Sequence, residues 1–398
     1  MWEQDRGSGL NLLNGVAPRD EVLGWRPLFW MRVVRLVMAK MVYLLVLAGF
    51  IIGIAHLLPH LRPRRWVAAF LFVTLGFTLA QGALSGVVTA LGLVPRGPFQ
   101  DMLDRPRGYD GDRTVVLLVG SSFTQAGIDP EALGEILGTS GRAVTVLPLA
   151  VGGAPHLERL HYLKEYLTRA QPKPQVVLFE IAGGYDNGPL YQLHEMRFTD
   201  RMVAMMDGSS AWWASRWLFG TDVISVTQRI ILGGEIIAHL GLHVGHIGFL
   251  WNSTRAGQPS DYDPGPSPPK AHFSDDDVAR TLDEAAQTRA LRADWPQTVP
   301  TSWMGAFLDE EMSTLRRYGI DRFAFYSVPS MQGANVAYAR RFCSAMTDFP
   351  CIVGEDPQLL AGLRQGTEWY DFDHLQGEGR ALYTRWLGDQ LAERGVLP

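Results

Sequence analysis

The chain has 398 residues, a formal net charge of −5 and only 19% charged residues, against roughly 25% in a typical soluble domain. A charge-poor, near-neutral chain with two Cys excludes a disordered polymer, a nucleic-acid binder with a basic face and a Cys-rich zinc or disulfide scaffold. The mean hydropathy of +0.00 averages two unlike parts, because Arg62, Arg64 and Arg65 are the only Asp, Glu, Lys or Arg residues from Met41 to Pro95.

After an N-terminal segment (1–35), the stretches Met41–Leu58 and Trp66–Val94 are free of those four residue types. A bilayer core needs about 20 apolar residues in a helix, so 36–94 reads as two transmembrane helices joined by the basic loop Leu61–Arg65. Gly82 and Gly86 have the four-residue spacing that lets another helix approach closely, although glycine is common in such helices anyway. A short basic loop belongs in the cytoplasm, which puts the large C-terminal part outside. Arg26, Arg32, Arg35 and Lys40, ahead of the first span, pull the other way.

Residues 95–112 are a Pro/Gly-rich linker. From 113 to 398 the pattern is globular. The run Val115–Val119 predicts a strand and ends in Gly120-Ser121-Ser122-Phe123. Asp129-Pro130-Glu131 reads as an N-cap with Pro at the first helical position, opening a helix over 131–137. Ala143–Leu149 predicts a second strand, ending in Ala150-Val151-Gly152-Gly153, and 157–170 predicts a helix. Val176–Ile181 predicts a third strand, followed by Gly183-Gly184-Tyr185-Asp186-Asn187-Gly188.

An insertion at about 189–303 follows. Tyr191, His194, Glu195 and Arg197 open it as candidate crevice residues. His239, His243 and His246 share a helical face with Glu235. That spacing can bind zinc, but the reading preferred is a polar stripe on an otherwise apolar helix at a membrane surface, and no metal is expected. Residues 307–318 predict a helix and Phe323–Val328 a fourth strand. Cys343 and Cys351 flank an expected helix end and strand start. They read equally as a disulfide in an oxidising compartment or as two buried thiols.

Continuous apolar strands alternating with helices predict a parallel sheet covered on both faces. In such sheets function gathers at the carboxyl ends of the strands. A serine hydroxyl is unreactive near neutral pH unless a base takes its proton. Asp371 and His374, three apart near the C-terminus, can supply one, the Asp fixing the imidazole tautomer. Each motif alone is ambiguous: Gly-Ser-Ser is a common turn, and His374 also reads as a surface-loop histidine beside acids.

Taken in order, these motifs resemble the SGNH (GDSL-type) hydrolase and acyltransferase superfamily over about 113–190 and 305–395. The resemblance implies a three-layer α/β/α, flavodoxin-like domain. It implies Ser122 as nucleophile, with Ser121 the fallback, and His374 and Asp371 as base and orienting acid. It implies Gly153, or Gly152 beside it, and Asn187 as oxyanion donors. The family's third block, Gly-x-Asn-Asp, is departed from here, so Asn187 serves only if its loop is longer. No cofactor is expected. Membrane-tethered members that acylate envelope glycans have a similar layout. The expectation is therefore an O-acyltransferase or esterase acting on a glycan or lipid acceptor. It would sit on the outer side of a bacterial-type inner membrane, with a polytopic acyl-donor partner and no nucleic acid. A general carboxylic-ester hydrolase and a catalytically silent assembly subunit are the alternatives.

Overall fold

A computed structural model describes residues 113–138, 143–154, 156–169, 173–182, 205–220, 224–244, 273–293, 295 and 297–397. The chain divides into two units, and every described residue belongs to the one formed by Arg96–Phe249 and Arg255–Pro398. The expected membrane spans of 36–94 lie outside the described residues. Among those described, no helix is long and apolar enough to cross a membrane.

Five strands form one parallel sheet: β1 (Thr114–Gly120), β2 (Val144–Ala150), β3 (Val176–Glu180), β4 (Arg322–Ser327) and β5 (Cys351–Val353). Their order is β2-β1-β3-β4-β5, so the chain reverses its winding direction between β1 and β3. A parallel doubly wound sheet has its crevice at such a switch point, outside the carboxyl ends. The four strands read from sequence are each present within a residue at either end. The fifth is only three residues long, too short to give its own hydrophobic pattern.

Alternate strand residues feed two separate cores. Leu117, Val119, Val177, Phe179, Phe323 and Phe325 face one. It is completed by α3 (His156–Arg169), α7 (Ser302–Arg317) and α8 (Gly333–Ala345), together with α4 (Gly208–Gly220) and α5 (Val226–Val244) of the insertion. Val116, Leu118, Val176, Leu178, Ala324 and Tyr326 face the other. Over them lie α2 (Pro130–Gly138), α6 (Asp275–Gln287), α9 (Pro357–Gly362) and α10 (Gly377–Glu393). Because both faces are covered, every residue of β1 and β3 is buried. The sheet with helices on both sides is the α/β architecture expected.

Local signals set the helix starts. Asp129 Oδ1 accepts from the N–H groups of Glu131 and Ala132, capping α2 where the sequence placed a cap. Thr301 caps α7 through Met304 N, five residues earlier than hydrophobic spacing placed that helix. Within α7, Glu311 is buried, and neither carboxyl oxygen has a hydrogen-bond partner among the described residues. Burial pushes it up to about 8 against the pull of Arg159 and Lys164. It is therefore a neutral acid at pH 7, which is how a core tolerates a lone carboxyl.

Cys343, near the end of α8, is bonded to Cys351 at the start of β5, with Cα atoms 5.5 Å apart. This resolves the open choice between disulfide and buried thiols, and it pins the shortest edge strand to the preceding helix. The unreduced protein should therefore show no titratable thiol. Reduction should free two and lower unfolding stability by about 2–3 kcal/mol, the chain-entropy value for so short a loop. Two free thiols in protein recovered from an oxidising compartment would contradict the pairing.

Candidate active site

The nucleophile candidate sits where β1 turns into the short helix α1 (Ser122–Gly127). Register places Val119 opposite Phe179, so Gly120 lies level with Glu180 at the last rung. A side chain on Gly120 would collide with Thr124 Oγ1 at 2.0 Å and Glu180 Oε2 at 2.8 Å. Glycine is required here by contact, since its Cβ position is already filled.

Glu180 organises this turn. Its Oε1 accepts from Ser121 Oγ at 2.5 Å and from Arg159 Nη2 at 2.7 Å. Its Oε2 accepts from the Ser121 N–H at 2.8 Å, the Thr124 N–H at 2.9 Å and the Thr124 hydroxyl. Burial pushes Glu180 up, but the Arg159 guanidinium and the bonds from Ser121 and Thr124 hold it below its ordinary 4.5. Arg159 is equally committed: Nη1 donates to Glu180 O and Nε to Ala154 O, both at 2.8 Å. Ser121 is fully buried with its hydroxyl spent on Glu180, which removes it as the fallback nucleophile.

Ser122 is oriented the other way. Its Oγ lies 2.8 Å from His374 Nε2, and His374 Nδ1 lies 2.7 Å from Asp371 Oδ1. Asp371 Oδ1 also accepts from the N–H groups of Asp373 and His374, so the three-residue spacing closes an Asx-type turn. Trp369 and Leu375 pair across the neck of this loop, and Trp369 is fully buried with its indole N–H on Leu363 O. Phe123 stacks on the imidazole, ring centroids 5.2 Å apart. The outer side of the loop is tied down by Asp373, which accepts from Ser330 Oγ at 2.6 Å, Asn335 Nδ2 at 3.0 Å and Gln332 Nε2.

Burial alone would lower His374. The hydrogen bond and charge of Asp371, with Asp373 and Glu180 behind, outweigh it and hold the ring above 6.5. Burial raises Asp371 most, but its bond to His374, the charge of that ring and the N–H groups of Asp373 and His374 together outweigh it and keep it below 3.8. Asp371 is thus an anion near neutral pH, holding a proton on Nδ1 and leaving Nε2 to accept from Ser122.

The loop after β2 comes up beside Ser122. Ala154 N–H closes a turn onto Val151 O, with Gly153 at its third position and φ +66°, a conformation that favours glycine. Gln125 Nε2 donates to Ala150 O at 2.9 Å, and a Cβ on Gly152 would lie 3.9 Å from Ser122 Cβ. Both candidate glycines therefore sit on one tight turn next to the serine. Asn187, with Tyr191, His194, Glu195 and Arg197, lies outside the described residues.

Of the histidine stripe of the insertion, His239 turns inward and His243 is half-buried. His239 is fully buried, with Nδ1 2.7 Å from Glu235 O, so at His239 the expected polar stripe is corrected to a buried contact. Among the described residues no three His, Cys, Asp or Glu side chains gather as a metal group; His246 lies outside them.

Sequence reasoning missed Glu180, Arg159 and Asp373. Glu180 did leave a signal: a carboxylate inside the apolar run Val176–Ile181 cannot be buried unpaired. Its partner, twenty-one residues away on a helix, left none. No family model matches the chain, and no curated protein does.

Removing the charge of Glu180 should strand Arg159 in the core. Glu180→Gln should cost about 3–5 kcal/mol at pH 7, the range for breaking a buried pair. Because the folded pKa is depressed, the ionised group's contribution is complete above 4.5 and fades as pH falls through the lower folded value. The difference between wild type and variant should thus shrink in acid. Equal denaturant midpoints at pH 7 would contradict this account.

Proposed function

We propose that the chain is a membrane-anchored serine acyl-transfer enzyme of the SGNH type. On this reading it is an O-acyltransferase or esterase working on an envelope glycan or lipid outside an inner membrane. The observation that carries the reading is the hydrogen-bonded line Ser122–His374–Asp371 at the carboxyl edge of a parallel sheet, beside a Gly152–Gly153 turn. The order of motifs along the chain supports the family. The uncharged stretches of 36–94 support the two-span anchor. The Cys343–Cys351 disulfide supports the oxidising side.

The mechanism follows from the geometry. His374 Nε2 takes the proton of Ser122 Oγ as that oxygen attacks an acyl carbonyl. The negative charge on the tetrahedral oxygen is met by the N–H groups of Ser122 and Gly153, with Asn187 the family's third donor. Such pre-aimed donors contribute most where water is excluded, and losing one typically costs ~10²–10³ in rate. The imidazolium, stabilised by Asp371, returns the proton to the leaving oxygen and leaves an acyl-Ser122 ester. Water or a sugar hydroxyl, deprotonated by His374, then attacks that ester and frees Ser122.

Two outcomes test this. A fluorophosphonate probe should label the wild type and not Ser122→Ala; labelling retained in a folded Ser122→Ala would remove the assignment. A folded wild type that neither labels nor turns over p-nitrophenyl acetate would favour the assembly subunit. Product analysis with and without an oligosaccharide acceptor separates transferase from hydrolase.

The pH profile is a second test. A base held above 6.5 is neutral only at higher pH, so kcat/KM should rise through a limb above 6.5. Asp371→Asn should move that limb to lower pH and reduce kcat by ~10⁴, the usual cost of the wrong tautomer. An unmoved limb would mean that Asp371 does not set the base.

A further inference from the structure

Helices α4 and α5 of the insertion carry apolar side chains on their outer faces as well as their inner ones. On α5, His239 is buried with Leu232 and Ile236, whereas Val226 is 72% exposed, Ile230 71% and Ile237 73%. Val226, Ile230, Gly234, Ile237 and Gly241 succeed one another at spacings of three or four. They therefore form a single stripe along the helix, without one hydrogen-bonding side chain. On α4, Trp212 is 65% and Phe219 75% exposed, seven residues apart with the exposed Arg216 between them. Isolated exposed apolar residues are ordinary, but a continuous set of this kind marks a contact surface.

Acidic groups are few here, and Asp207, directly before α4, is engaged by the Ser210 N–H. α4 contains no Asp or Glu, and α5 contains only Glu235, which is half-buried. Arg216 lies over the Trp213 ring, and Arg229 donates to the carbonyls of Leu218 and Phe219. Trp, Phe and Arg beside an aliphatic stripe are the residues that favour the headgroup boundary of a bilayer.

We propose that the exposed face of α4 and α5 rests in the surface of a lipid bilayer. The proposal builds on the anchoring reading above, because the uncharged Trp66–Val94 stretch is what keeps a bilayer at hand.

The test uses the full-length chain reconstituted in vesicles of phosphatidylethanolamine and phosphatidylglycerol. Ile230→Cys and Ile237→Cys are each labelled with nitrobenzoxadiazole, and Asp389→Cys on α10 is the exposed reference. Lipids with a doxyl group near the glycerol should remove most of the emission at 230 and 237 and leave 389 unchanged. A doxyl group near the chain end should quench less, since such helices sit about 5–10 Å deep. Ile230→Asp combined with Ile237→Asp should abolish quenching at a Val226→Cys reporter, with an unchanged thermal midpoint showing an intact fold. Absence of quenching at 230 and 237 overturns the proposal, as does energy transfer between labelled copies in its place, which would mean self-association. Alkaline carbonate extraction is read separately: a chain released by it fails the anchoring reading, whereas one retained but unquenched fails only this one.

Discussion

The buried pair of Glu180 and Arg159 is the interaction on which the site depends. An ion pair taken out of water loses more in solvation than its Coulomb attraction restores, unless its remaining donors and acceptors are also satisfied. Here both Glu180 oxygens are engaged, by Ser121, Thr124 and Arg159, and Arg159 spends its other nitrogens on Glu180 O and Ala154 O. The pair therefore joins three strand ends. It holds the turn after β1, terminates β3, and fixes the end of the loop after β2. An apolar replacement of equal volume could fill the same space. It could not hold the Ser122 turn and the Gly152–Gly153 turn in one register.

That register decides which serine hydroxyl meets the histidine. Ser121 and Ser122 are chemically identical neighbours, yet Ser121 is turned inward onto Glu180 while Ser122 meets His374. The same carboxylate also contributes at a distance, since it is one of the charges that hold the imidazole above its ordinary value. Fixing the turn and biasing the base thus come from one group. The opposite wall is built by other residues: Asp373 anchors the histidine loop to Ser330, Gln332 and Asn335, while Asp371 holds the imidazole and closes the turn on the N–H groups of Asp373 and His374.

Much of this was legible in the residues, and what was not had physical reasons. β1, β2, β3 and β4 are central or long enough that burial on both faces writes continuous apolar runs, so their positions could be read to within a residue. Gly120-Ser121-Ser122 and Asp371-x-x-His374 could be read because the chemistry needs fixed local spacing. The resemblance already favoured Ser122 over Ser121, but the reason Ser121 is turned away could not be read, because it is Glu180, brought alongside only by strand register. Arg159 was equally hidden: within the polar-flanked start of α3 it looks like any surface arginine. The start of β5 was expected at Cys351, but three residues cannot show the periodicity that would fix its extent.

The insertion illustrates the limit of periodicity in a different way. The spacing of Glu235, His239 and His243 correctly marks one face of α5, but it does not say which face is inside. In water the polar stripe faces out and the apolar stripe packs, and that rule points His239 to the surface. The structure has His239 buried on the Glu235 carbonyl and Ile230 and Ile237 exposed. A buried imidazole costs little once its hydrogen bond is satisfied, and outward isoleucines cost little where the outer medium is itself apolar. The direction of a stripe is a property of the surroundings as well as of the sequence. In a chain whose first hundred residues include long uncharged stretches, the medium has to be part of the reading.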